Sequence, residues 1–118
     1  MNTTEAITAF SQSEKVKYAL IAQGQIIEMS GGLSEDERRG AEKVIQAQAH
    51  MISQELHLAR RLTRDSAWDD AEKHLQKAIV MIHSHLVSEA GYHLTRALSH
   101  VTGIGQRSMS LLKEAGLL

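Results

Sequence analysis

Apolar side chains recur every three to four residues along almost the whole chain, and this spacing is typical of helices that bury one side. No stretch alternates apolar and polar residues in the manner of a strand, and no internal repeat is present. The first helix is predicted from Thr3 to Ser30, with apolar positions at Ala6, Ala9, Phe10, Val16, Leu20 and Ile27. The pattern therefore predicts an all-α protein.

A glycine-containing break separates the first helix from the second. Residues 30–34 read Ser-Gly-Gly-Leu-Ser, and Ser34 is followed three residues later by Glu37. Ser and Glu at this spacing form a capping box, in which each residue satisfies a backbone N–H of the other, so a helix is predicted to begin here. This second helix is predicted to reach about Arg64, with an inward-facing set of Ala41, Val44, Ile45, Ile52, Leu56 and Ala59.

A third helix is predicted after Asp65 or Ser66, because either side chain is a good helix N-cap. It is expected to extend to a Gly-Ile-Gly sequence at residues 103–105, with a bend or split near Gly91 as an alternative. Its apolar positions are Ala71, Leu75, Ile79, Ile82, Leu86, Ala90 and Ala97.

Helix length and connection length together predict the architecture. Helices of about 28 to 36 residues are roughly 40–55 Å long, and connections of a few residues make neighbouring helices antiparallel. The prediction is a single helical-bundle domain over residues 1–118, built from three long helices, with residues 98–116 as a short C-terminal helical hairpin.

Composition narrows the function classes. The chain contains no Cys and has a net charge of −1, which excludes disulfides and Cys-ligated metals and gives no global attraction to nucleic acid or to an anionic membrane. No apolar run reaches the ~18 residues of a membrane span, and no signal peptide is expected in the first 20 residues. These features predict a soluble, cytoplasmic protein.

A polar stripe is the unusual feature of the third predicted helix. If that helix is continuous, a turn of about 100° per residue brings several polar side chains to the side of Ile82. They are Glu89, His93, Arg96 and His100, with His85 one turn before Glu89. Such groups form either a hydrogen-bonded network at the bundle end or dimer interface, or a metal site, or a solvated surface if the helix rotates beyond Gly91.

The metal interpretation lacks the expected spacing, since di-iron bundles repeat Glu-x-x-His on paired helices and here Glu-x-x-x-His occurs once. No metal or cofactor is therefore predicted. His50 and His57 are interpreted as solvated, and His74 and His83 as isolated. Since no Ser/His/Asp arrangement is recognisable either, the sequence favours a protein that is not an enzyme.

The C-terminal segment 98–116 resembles the helix-hairpin-helix family. In that family an apolar pair precedes a Gly-apolar-Gly hairpin, and a second helix follows. The matching positions are Leu98 and Val101, then Gly103, Ile104 and Gly105, then Leu112 and Gly116. The resemblance implies that Gly103, Ile104, Gly105 and Arg107 contact a nucleic-acid phosphate, through backbone N–H groups and a helix N-terminus, without reading base sequence.

The residues alone allow a second interpretation of this segment. In this interpretation the glycines serve only to turn the chain, so that residues 106–116 cover the end of the bundle with Ile104, Met109, Leu111 and Leu112.

Three functions remain open at this point. The first is a non-enzymatic helical protein that acts through self-association or a protein partner. A homodimer is expected, because a thin bundle of long helices leaves an apolar stripe that a second copy would cover. The second is a nucleic-acid-binding accessory protein that uses the hairpin, and the third is a metal-binding helical bundle.

Overall fold

The computed structural model describes residues 1–118 and contains four helices and no strand. They are α1 (Thr3–Ser30), α2 (Glu35–Leu62), α3 (Ala67–His83) and α4 (Val87–Glu114). α1 and α3 each pack against both α2 and α4, so the helices occupy the corners of a square in up-down-up-down order. The molecule measures 53 × 22 × 18 Å. The predicted all-α bundle is confirmed, with four helices.

The first two helix starts follow local sequence signals. Asn2 Oδ1 accepts a hydrogen bond from the Glu5 backbone N–H at 2.8 Å, which caps α1. The predicted capping box is confirmed at α2, where Ser34 Oγ accepts from the Glu37 N–H and Glu37 Oε1 accepts from the Ser34 N–H. Both caps satisfy donors that have no partner within the helix.

The core is a cluster of 21 buried apolar residues drawn from all four helices. Trp68 is fully buried at the start of α3, and its Nε1 donates to Thr63 Oγ1 at 2.5 Å. Two residues predicted to face inward are instead exposed, Val44 on α2 and Leu86 in the α3–α4 connection. The prediction was wrong at Val44 because the adjacent Ile45 supplies the core contact, which leaves Val44 to one side.

The third predicted helix is divided, but not at Gly91. α3 ends at His83, and residues 84–86 form the turn before α4. His85 has a φ of 62°, the Leu86 N–H donates to the Met81 carbonyl and the His85 N–H donates to the Ile82 carbonyl. These paired bonds are a Schellman motif, which normally uses glycine at the left-handed position. Because histidine occupies that position here, this helix end has no glycine signal in the sequence.

The C-terminal hairpin is not formed, and this prediction was wrong. α4 continues through Gly103, Ile104 and Gly105 to Glu114 without a turn. Glycine disfavours a helix by only about 1 kcal/mol, and here the helix buries a periodic set against the rest of the bundle. That set is Leu94, Ala97, Val101, Ile104, Gly105, Ser108 and Leu112. Packing therefore outweighs the glycines, and residues 106–114 extend the bundle instead of covering its end.

Gly105 has a packing role in this arrangement. A Cβ atom placed on Gly105 would lie 2.9 Å from Ser13 Oγ on α1. The absence of a side chain at Gly105 thus lets α4 approach α1 closely, as small residues do at helix contacts.

Candidate functional site

The residues predicted to bind phosphate lie on the side of a continuous helix. Ile104 and Gly105 are buried, so no exposed turn presents their N–H groups. Arg107 makes a bidentate contact with Asp65, in which Nε and Nη2 donate to the carboxylate at 2.8–3.0 Å. The guanidinium is therefore paired within the chain, and its contact ties α4 to the connection between α2 and α3.

The structure divides the predicted polar stripe. His93 and His100 face α3, where their rings stack on His74 with centroid distances of 5.9 and 5.6 Å. Glu89 and Arg96 are exposed. His85 lies in the α3–α4 turn, and its Nδ1 is 3.0 Å from Glu42 Oε2 on α2. Because the turn at 84–86 separates Ile82 and His85 from α4, the predicted alignment of the stripe with Ile82 does not hold. The four α4 residues still share one flank of their helix, with Glu89 and Arg96 farther from its buried side than His93 and His100.

His74, His93 and His100 form a unit that we call the histidine stack. Burial lowers the pKa of His74, and the nearby positive charges of Lys77, His100, Arg96 and His93 lower it further. The Nδ1 atoms of His74 and His93 are buried and have no hydrogen-bond partner. This environment favours the neutral imidazole of His74 because a charged ring would be poorly solvated and repelled.

A second group of histidines follows the contact between α2 and α3. His50 Nε2 and His83 Nε2 are 3.0 Å apart, and His57 Nε2 is 2.9 Å from Glu72 Oε1. Sequence reasoning treated His83 and His74 as isolated, whereas each contacts a histidine of another helix. Only the packing of α3 between α2 and α4 brings them together, and no local spacing signals it.

No group of three or more His, Asp or Glu side chains is arranged to hold a metal ion. No helix of the bundle has the length and apolar character needed to cross a membrane.

The largest unpaired feature of the surface is apolar and lies on α1 and α2. Each helix carries a row of exposed apolar side chains in addition to its buried side. We call this surface the α1/α2 apolar face and define it by Ile7, Tyr18, Ile21 and Met29 on α1, and Val44, Met51, Leu58 and Leu62 on α2.

Helical periodicity places the members of each row on one side of their helix, with other residues between them. Ile7, Tyr18 and Met29 are eleven residues apart, and at about 100° per residue they fall within about 40° of one another. On α2, the row from Val44 to Met51 to Leu58 has a seven-residue spacing. Ser11, Glu14 and Gln25 lie on the same side of α1 as its row, so the outer side of α1 carries separate apolar side chains.

Contacts between the two helices bring the rows side by side. Lys15 Nζ is 3.1 Å from Glu55 Oε2, and the buried Gln23 donates from Nε2 to the Ile45 carbonyl at 3.1 Å. These contacts fix an antiparallel register in which Tyr18 is level with Met51. In the same register Ile7 is level with Leu62.

The side of the bundle formed by α3 and α4 exposes fewer large apolar side chains. Exposed large apolar residues there are few, namely Val80 on α3, and Tyr92 and Met109 on α4. Exposed charged side chains occur on both sides of the bundle, for example Asp69 and Lys73 on α3, and Arg39 and Lys43 on α2. The apolar surface is therefore concentrated on one side of the bundle.

Comparison of the chain with models of protein families, with curated proteins and with solved structures returns no match.

Proposed function

We propose that this protein functions by self-association, with the α1/α2 apolar face of one copy packed against the same face of a second copy. The observation that carries the proposal is the number of large apolar side chains that α1 and α2 expose, eight in all, against three on α3 and α4. A monomer leaves the outer row in water, whereas an interface removes it at a gain of roughly 25 cal/mol per Å² of apolar surface.

The size of the face suits a homodimer. The span from Ile7 to Met29 is about 33 Å long at ~1.5 Å per residue, and two adjacent helices are about 20 Å wide. The resulting surface is on the order of 700 Å², close to the ~800 Å² per partner of a standard interface.

The charges beside the face also favour a second copy. Glu14 is paired with Lys17 at 2.8 Å, and Lys15 with Glu55 at 3.1 Å, within the same chain. These four charges cancel, and a two-fold axis makes contacts between identical faces self-complementary.

Single-cysteine variants test this arrangement, because the chain has no cysteine of its own. Tyr18→Cys places a thiol on the face, and Tyr92→Cys is the matched control, since the two tyrosines are 65% and 66% exposed. With a short bis-maleimide reagent, Tyr18→Cys is expected to give a cross-linked dimer on a denaturing gel, and Tyr92→Cys to remain monomeric.

Equal cross-linking of the two variants would contradict an interface on this face. Absence of cross-linked dimer from both, at a concentration where light scattering shows a dimer, would place the interface elsewhere.

A further inference from the structure

The contact between His50 and His83 is the most specific juxtaposition of ligating atoms in the molecule. Their Nε2 atoms are 3.0 Å apart, across α2 and α3, and both side chains are open to solvent. The ring centroids are 5.3 Å apart with an angle of 55° between the planes. The two imidazoles, which come from different helices, thus bring the same ring nitrogen within hydrogen-bond distance, and a rotation of these solvent-exposed rings would turn both nitrogens towards one ion.

The backbone that carries the pair is fixed by the core. His50 follows the buried Ala49, and His83 follows the buried Ile82. On one side along the same helix contact, Gln76 Nε2 donates to Ser53 Oγ at 3.2 Å. On the other side, Glu42 contacts His85. The two histidines are therefore held at a set spacing by their neighbours.

That spacing matches the requirements of a transition metal. Two nitrogens bound to one Zn²⁺ at about 2.0–2.1 Å, with an N–Zn–N angle between about 90° and 110°, are about 2.9–3.4 Å apart. In the metal-free protein a single shared hydrogen bond maintains the same distance. We propose that His50 and His83 are the two protein ligands of a divalent transition-metal site, with water in the remaining positions.

The chemistry of the ligands selects the class of ion. Imidazole nitrogen suits Zn²⁺, Cu²⁺ and Ni²⁺, whereas Mg²⁺ and Ca²⁺ prefer oxygen ligands. A bound ion would hold the last residue of α3 against the middle of α2. Because the two nitrogens meet only in the folded protein, binding stabilises the native state and raises the unfolding temperature.

The test is a calorimetric titration of tag-free protein with Zn²⁺, Ni²⁺ and Mg²⁺ at neutral pH, together with unfolding temperatures in each ion. The variants are His50→Ala and His83→Ala. His57→Ala is the matched control, since His57 lies on the same helix contact and pairs with Glu72 instead.

We expect one Zn²⁺ or Ni²⁺ per chain and no response to Mg²⁺. His50→Ala and His83→Ala should each weaken binding by about tenfold or more, at least the effect of removing a partner that orients a ligand, while His57→Ala should bind like the wild type. Circular dichroism checks that each variant is folded.

Two results would overturn the proposal. One is the absence of Zn²⁺ and Ni²⁺ binding to the folded wild type. The other is retention of binding in His50→Ala and His83→Ala, which would place the ion on other residues.

Discussion

At the scale of single residues, His74 makes the stability of the bundle depend on pH. His74 lies between His93 and His100, and burial is the main cause of its lowered pKa, with the positive charges of Lys77, His100, Arg96 and His93 adding to it. The native state therefore resists protonation of His74 more than the unfolded chain does, for which the ordinary pKa is 6.5.

The difference between the native and the unfolded pKa of His74 sets the direction in which stability changes with pH. Between the lowered native pKa and 6.5 the unfolded chain binds more protons, so stability rises with pH in that range. The contribution of His74 is complete above pH 6.5 and is lost as the pH falls from there towards the native pKa.

We expect His74→Gln to reduce the loss of stability on acidification. Urea unfolding at several pH values between about 7.5 and 5 measures it. The wild type should lose more free energy of unfolding below pH 6.5 than the variant does. If the free energy of unfolding changes with pH in the same way for the two proteins, the environment of His74 does not contribute to the pH dependence of stability.

At the scale of elements, the helices that local signals define were predicted, and those that tertiary packing defines were not. The limits of α1 and the capping box of α2 agree with the sequence, because apolar spacing, the glycine break and the Ser34 cap are local signals. The turn at 84–86 was missed, because its left-handed residue is His85. The hairpin at 103–105 was predicted wrongly, because a long-range contact with α1 decides the conformation of the glycines.

The same distinction between local signals and tertiary packing applies to the candidate surfaces. Val44 was predicted as a core residue because its spacing alone cannot distinguish a buried row from an exposed one on the same helix. The contacts of His83 and His74 depend on the antiparallel register of α3 with α2 and α4, which no single segment encodes. The expectation of an uncovered apolar stripe came from helix length, and the structure adds where the exposed apolar residues lie.

A matched pair of glycine substitutions tests the packing explanation for α4. Gly105→Val would place a branched side chain where a Cβ lies 2.9 Å from Ser13 Oγ. It is expected to lower the free energy of unfolding by about 1–3 kcal/mol through overpacking. Gly24→Val is the control, because no atom lies within 4 Å of its Cβ position, and the helix propensities of Gly and Val differ by less than about 0.5 kcal/mol.

Chemical denaturation measures both variants, and Ser13→Ala combined with Gly105→Val should recover part of the loss, since Ser13 Oγ is the closest atom. Equal stability of the Gly105 and Gly24 variants would mean that α4 does not need the close approach to α1.

At the scale of the whole molecule, exposed large apolar side chains are distributed unevenly. The eight exposed residues that define the α1/α2 apolar face lie on adjacent antiparallel helices, whereas α3 and α4 expose only Val80, Tyr92 and Met109 among the large apolar residues. The metal site proposed at His50 and His83 lies on the α2/α3 contact. Its occupancy and the proposed self-association can therefore be measured separately.

The most direct test of self-association is the molar mass of two matched valine variants. Val44 lies on the apolar face and Val80 on the opposite side, with 61% and 63% exposure. Light scattering over a range of protein concentrations should give twice the chain mass of 13.0 kDa for the wild type and for Val80→Glu. Val44→Glu should shift the equilibrium to the monomer, because a dimer would bury its carboxylate without a partner. A monomeric wild type at every concentration, or a dimer that Val44→Glu and Val80→Glu leave equally stable, would contradict the account.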